Sequence, residues 1–135
     1  MSDVIEAFKL VGSLIGKFAE LDQTKRAKTA KTFAALARTF GAFPPAYFEK
    51  NYDEMLKLQA KTRGHLEALK SGEAFQSVLG KADAERFFAA IEGVANAKEL
   101  MSRGDRAREK LVLIIEAAGF FEGYAEGLDP DVLSR

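Results

Sequence analysis

The stretch that decides the fold runs from Asp105 to Glu126 and has the sequence DRAREKLVLIIEAAGFFEGYAE. Its middle, LVLII, is apolar at every position, which is typical of a helix surrounded by other helices at the centre of a bundle. Glu116 interrupts the apolar run well before the ~20 residues that a membrane-spanning helix needs. We therefore predict a central helix over residues 105–126.

Two amphipathic helices are predicted in the first third of the chain. Residues 4–21 carry apolar side chains at a 4-3-4-3 spacing, with charged residues on the opposite face. The positions at this spacing are Val4, Phe8, Val11, Ile15 and Phe18. Residues 23–40 form the second helix, with Asp22 as its N-cap and Gly41 as the residue that ends it.

A proline corner separates these two helices from the rest of the chain. Pro44 and Pro45 block continuation of the second helix and favour a new helix that starts at Pro45. Three further helices are predicted, over residues 45–70, 73–79 and 83–102. We expect Gly64 to kink or break the first of these, and residues 127–131 to be extended and loosely held. The prediction is an all-α fold, a compact bundle of five or six helices in one domain over residues 1–135.

The composition is that of a globular protein rather than a disordered one. Of 135 residues, 47% are hydrophobic and 30% are charged, and the 20 basic and 20 acidic residues cancel. The absence of cysteine excludes disulfides, thiolate metal ligands and cysteine nucleophiles. The first residues, MSDVIE, lack the basic and apolar regions of a secretory signal, so we expect a cytoplasmic protein.

Sequence motifs for catalysis are missing. The one histidine, His65, has Thr62 where a Glu-x-x-His metal motif needs glutamate. The segment GSLIGK, residues 12–17, has the glycines and lysine of a phosphate-binding loop at the wrong spacing, and Phe18 stands where serine or threonine is required. The sequence also lacks a Gly-x-Ser-x-Gly nucleophile elbow. We therefore predict no enzymatic activity, no metal site and no cofactor.

Basic residues are concentrated on the helix predicted over residues 23–40. From Gln23 to Phe48 the chain has five basic residues and no acidic one. The candidate anion-binding residues are Lys25, Lys28, Lys31 and Arg38 on this helix, and Arg103, Arg106 and Arg108 around the start of the last helix. Threonines at positions 24, 29, 32 and 39 lie among them and are expected to add hydrogen bonds to phosphates. Either this face binds a polyanion, or the acidic residues between 116 and 131 neutralise it.

Glycines recur every four residues in the first and last helices. The positions are Gly12 and Gly16, and Gly119 and Gly123, followed by Gly127. Because an interior glycine costs a helix ~0.5–1 kcal/mol relative to alanine, we expect a compensating contact. Small residues allow two helices to approach closely, so we predict that the first and last helices cross at these glycines. The alternative is a two-fold contact between subunits.

Aromatic residues crowd the proline corner. The four that we single out as candidates for docking a partner are Phe43, Tyr47, Phe48 and Tyr52. They form either a small hydrophobic core under the corner or an exposed surface that contacts another protein.

The leading functional prediction is a non-catalytic adaptor, a helical module for protein–protein interaction or self-assembly that binds another protein or forms a homodimer. The first alternative is binding of nucleic acid or another polyanion through the basic helix 23–40. The second is association with a membrane surface through an amphipathic helix. The mixed charges on the polar face of residues 4–21 disfavour this second alternative.

Overall fold

In a computed structural model, residues 2–134 are described (for Ser2 the backbone alone), and they form nine α-helices and one 3₁₀ helix without any β-strand. The helices are α1 (Ser2–Ser13), α2 (Ile15–Ala19), α3 (Gln23–Gly41), α4 (Phe43–Phe48), α5 (Tyr52–Ser71), α6 (Ala74–Leu79), α7 (Lys81–Val94), α8 (Ala97–Met101) and α9 (Asp105–Leu128), followed by the 3₁₀ helix Val132–Ser134. The predicted all-α class is confirmed. Five long helices, α1, α3, α5, α7 and α9, make up the predicted bundle, and the short helices connect them.

The helix α9 is the central element, as predicted. It packs against α1, α2, α3, α4, α7 and α8. Phe121 of this helix is fully buried. The centre of its ring lies 5.0 Å from the ring centre of Phe8, 5.6 Å from that of Phe40 and 6.2 Å from that of Phe87. Four helices therefore meet at this one side chain.

The outer side of α9 differs from the prediction. Val112 is 55% exposed and Ile115 is 52% exposed, although both belong to the continuous apolar run. The helix is central, but the other helices do not cover its continuous apolar run on every side. The inner face contacts the core, and the outer face is open.

The helix predicted over residues 45–70 is divided at a place other than the one expected. The segment 45–70 is not interrupted at Gly64, which lies inside α5, but between Phe48 and Tyr52. Lys50 adopts a positive φ of 58° there, and the side chain of Asn51 accepts a hydrogen bond of 3.0 Å from the Glu54 amide. A left-handed residue ends one helix and an N-cap starts the next, which explains the division.

Other boundaries also differ from the sequence-based expectation. The helix predicted over 4–21 is divided at Leu14, and the one predicted over 83–102 is divided at Ala95 and Asn96. Of the tail predicted to be extended, only Asp129 is: α9 continues to Leu128, residues 130–131 form a turn, and the 3₁₀ helix that follows packs against α3 with Val132 buried. The predicted N-cap is confirmed, because the Asp22 carboxylate accepts a 2.9 Å hydrogen bond from the backbone amide at the third position of α3.

Candidate functional site

A groove with a basic wall lies between the start of α3 and the end of α5. Its volume is about 1000 Å³. Lys25, Lys28 and Lys31 line it from α3, while Leu69 of α5 and Phe75 of α6 line the other side. All three lysines are exposed, and the ammonium group of Lys25 lies 3.9 Å from the Asp22 carboxylate. Three of the candidate anion-binding residues therefore line one concave surface.

Three of the four threonines of α3 do not offer the hydrogen bonds to phosphate that the sequence predicts. The hydroxyl of Thr29 donates to the Lys25 carbonyl at 2.9 Å, and that of Thr32 donates to the Lys28 carbonyl at 3.1 Å. Thr39 donates to the Ala35 carbonyl in the same way. Phosphate oxygens accept hydrogen bonds, so hydroxyl groups that already donate within the helix offer them no hydrogen. Any affinity of the groove for anions must come mainly from the lysines.

Arg38 lies outside the lining of the groove and near a second group of positive charges. The pKa of the His65 imidazole is lowered from the ordinary value of 6.5, mainly because the ring is partly buried. The positive charges of Lys61 and Arg38 lower it further. The lowered pKa favours the neutral form of this half-buried imidazole. Arg38 of α3 and Lys61 of α5 thus lie close enough to His65 to act on its charge, and none of the three lines the groove.

The arginines near the start of α9 have separate roles. Arg103 donates to the Tyr47 carbonyl at 2.8 Å, and its guanidinium carbon lies 4.0 Å from the centre of the Tyr47 ring. This hydrogen bond and cation–π contact join α4 to the loop before α9. Arg103 is therefore a structural residue in this fold, contrary to its assignment to an anion-binding patch. Arg106 and Arg108 are exposed in the first turn of α9.

The aromatic residues of the proline corner divide between core and surface. Phe43 and Tyr47 are 0% and 5% exposed, so the prediction that they dock a partner is wrong. Phe48 is 68% exposed and Tyr52 is 39% exposed, as a docking surface requires. Leu56, which sequence analysis missed, is 41% exposed one turn beyond Tyr52. We call Phe48, Tyr52 and Leu56 the corner group.

The predicted crossing of the first and last helices is seen at one glycine only. A Cβ atom added at Gly12 would lie 3.2 Å from the Tyr124 hydroxyl oxygen, so the Tyr124 side chain of α9 packs against Gly12 of α1. At Gly16, Gly119 and Gly123, an added Cβ atom would meet no described atom within 4 Å. The predicted crossing within the chain is therefore wrong for these three glycines. The alternative, a contact between subunits, stays a prediction.

Tyr124 provides the polar part of the contact between α1 and α9. Its hydroxyl group donates a hydrogen bond to the Phe8 carbonyl. Burial raises the pKa of Tyr124 to about 12, although a hydrogen bond with the Gly12 backbone acts in the opposite direction. The half-buried phenol therefore stays neutral at every physiological pH and holds the N-terminal helix to the core.

The remaining observations concern metals, membranes and related proteins. Within residues 2–134, no three histidine, aspartate or glutamate side chains are grouped so that they could hold a metal ion. The helices in the same range include none with the length and hydropathy needed to cross a bilayer. Comparisons with protein-family models, curated proteins and solved structures found no match to this chain.

Proposed function

We propose that this chain is a non-catalytic protein-interaction module. The observation that carries the proposal is the placement of its exposed large apolar side chains. The described residues include five such side chains, which fall into two groups: the corner group on α4 and α5, and a pair on α9. The members are Phe48, Tyr52, Leu56, Val112 and Ile115. Grouped exposed apolar residues are typical of surfaces that contact other proteins.

The corner group has the chemistry of a docking surface. Aromatic residues are enriched at protein interfaces, where they provide a large contact area at a low cost in conformational entropy. Charged residues of both signs, Glu49 and Lys57, lie exposed beside the group and can form a polar rim. The occupant that fits such a surface is the apolar face of a partner helix or loop, surrounded by charges of both signs.

The double substitution Phe48→Ser and Leu56→Ser tests this proposal. Both side chains are exposed, so the variant should keep the circular dichroism spectrum of the wild type and nearly the same Tm. It should lose a partner that chemical cross-linking and capture from native extract detect with the wild-type chain. Glu85→Ser with Glu92→Ser, two exposed positions on α7 away from the corner group, is the matched control and should retain that partner. Equal capture by all three proteins would refute the proposal for this surface.

Polyanion binding is a second candidate function, and the shared groove of Lys25, Lys28 and Lys31 favours it. Fluorescence anisotropy with a labelled random-sequence DNA duplex provides the test. Three phosphate contacts predict that log K falls with log salt concentration with a slope of about −3. Lys28→Glu with Lys31→Glu should abolish binding, whereas Arg106→Glu should leave it largely intact. The candidate fails if the wild type does not bind at low salt.

Membrane-surface association is the least supported alternative. An interfacial helix needs a free apolar face. The apolar faces of α1 and α3 are instead directed into the core, where Phe8, Val11, Phe33 and Phe40 are fully buried. These helices would have to leave the bundle before they could contact lipid.

A further inference from the structure

We propose, as an extension of the protein-interaction function, that a second copy of this chain packs antiparallel on the outer face of α9. The outer face consists of residues at 4-3-4-3-4 spacing, Arg108, Val112, Ile115, Gly119, Glu122 and Glu126, with Gly123 beside them. All seven are exposed. A seam repeating every 3.5 residues is the pattern by which one helix packs along another over several turns.

The distribution of large and small residues along this face is self-complementary. In an antiparallel pair with Ile115 opposite Gly119 of the second copy, Arg108 lies opposite Glu126 of the second copy. Val112 then lies opposite Glu122 and next to Gly123 of the second copy. These pairs share one midpoint, so a single two-fold axis generates all of them together with their symmetry mates. Ile115 thus lies opposite a glycine of the second copy, and Val112 lies next to one.

The glycines support this occupant because no other described part of the chain packs against them. An interior glycine weakens a helix relative to alanine. Gly119 and Gly123 nevertheless stand inside α9, and no described atom would lie within 4 Å of a Cβ atom added at either position. Packing within one chain therefore does not require glycine there. A second helix backbone that approaches closely does require it, because Ile115 of the second copy occupies the space that a side chain would fill.

Charge complementarity determines the direction of the pair. Arg108 lies near the start of the outer face, while Glu122 and Glu126 lie near its end. A parallel pair would bring Arg108 next to Arg108 and Glu126 next to Glu126, which is repulsive. An antiparallel pair brings each arginine opposite a glutamate, with the apolar residues between the two charged ends. Such an arrangement favours one partner and one register.

The first test compares two equivalent glycine substitutions by sedimentation velocity over a range of micromolar concentrations. The wild type should shift from monomer towards dimer as its concentration rises. Gly119→Leu should weaken association at least about tenfold in Kd, because leucine fills the space for Ile115. Gly64→Leu is the matched control, since Gly64 is also exposed, helical and free of neighbours around an added Cβ atom. It should associate like the wild type. Stronger association of Gly119→Leu would overturn the proposed register.

A charge swap tests the direction of the pair. Arg108→Glu and Glu126→Arg should each weaken the dimer, and the double variant should restore most of the association because the opposed charges are only exchanged. A double variant as weak as the single variants would overturn the antiparallel arrangement. A wild-type chain that stays monomeric at all concentrations would overturn the second copy as occupant. That result would leave the proposed interaction function intact, because the corner-group variants test it through a different surface.

Discussion

Replacing Phe121 by alanine should be among the most destabilising single changes in this chain. The ring is fully buried and belongs to the central helix. It meets Phe8 of α1 at an interplanar angle of 78° and Phe40 of α3 at 86°, which are edge-to-face arrangements that aromatic pairs favour. The substitution removes a contact that several helices share.

The size of the effect follows from the cavity that the ring would leave. A buried phenylalanine replaced by alanine costs ~3–5 kcal/mol, and the surrounding rings cannot collapse into the space without losing their own contacts. We expect ~4 kcal/mol here. A chain of 135 residues typically has a free energy of unfolding of roughly 7–20 kcal/mol. The variant should therefore remain folded and unfold at a clearly lower urea concentration.

Urea denaturation followed by far-ultraviolet circular dichroism measures this loss, and it suits a chain that has no tryptophan. Phe48→Ala is the matched control, because that ring is 68% exposed and its removal should cost less than about 1 kcal/mol. Phe121→Leu should lie between the two, since leucine fills part of the cavity. Equal midpoints for Phe121→Ala and Phe48→Ala would refute the conclusion that α9 organises the core.

Three other predictions concern polar groups. Lys110→Met should lower the free energy of unfolding by ~1–2 kcal/mol. The reason is that the Lys110 ammonium group lies 2.7 Å from the Glu99 carboxylate and donates to the Gly93 carbonyl at 2.6 Å. Thermal unfolding measures the loss, and an unchanged Tm would contradict this prediction. The raised pKa of Tyr124 means that the fold favours the neutral phenol, so its contribution is complete below pH 10 and declines as the pH rises towards 12. Tyr124→Phe should flatten the pH dependence of the urea midpoint above pH 10, and an identical slope in both proteins would contradict the assignment. The His65 imidazole should titrate below pH 6.5 by nuclear magnetic resonance, and Lys61→Gln should move its pKa upwards, because that substitution removes a nearby positive charge.

The sequence predicted best those elements whose local signals agree. In α3, the N-cap Asp22 and the helical spacing both indicate one helix, and the structure has it over Gln23–Gly41. Gly41, predicted to end this helix, is instead its last helical residue, and Ala42 is the C-cap. The break before α5 also has a local signal in the sequence. Asn51 precedes Glu54 by three residues, a typical start of a helix, and its side chain accepts from that amide. Periodicity alone hid this break, because apolar residues recur at helical spacing on both sides of it.

The candidate site depended on contacts that the sequence does not contain. Arg103 was assigned to a basic patch by its charge, whereas its partner Tyr47 lies 56 positions away in the chain. Tyr47 and Phe48 are adjacent and both aromatic, yet the first is buried and the second exposed. Successive residues of a helix point about 100° apart, so one position decides between core and surface. Only the packing of α4 against its neighbours determines which of the two faces inward.

The same property of α9 accounts for both the fold and the proposed assembly. A helix with one apolar face needs one hydrophobic environment, and the core around Phe121 supplies it. The run LVLII has more apolar surface than this core covers, and Val112 and Ile115 remain about half exposed as a result. Polar residues at positions 112 and 115 would suit a solvent-exposed face better, and such a face would not need glycine at position 119. The proposed second helix along the outer face would account for both the excess apolar residues and the glycine.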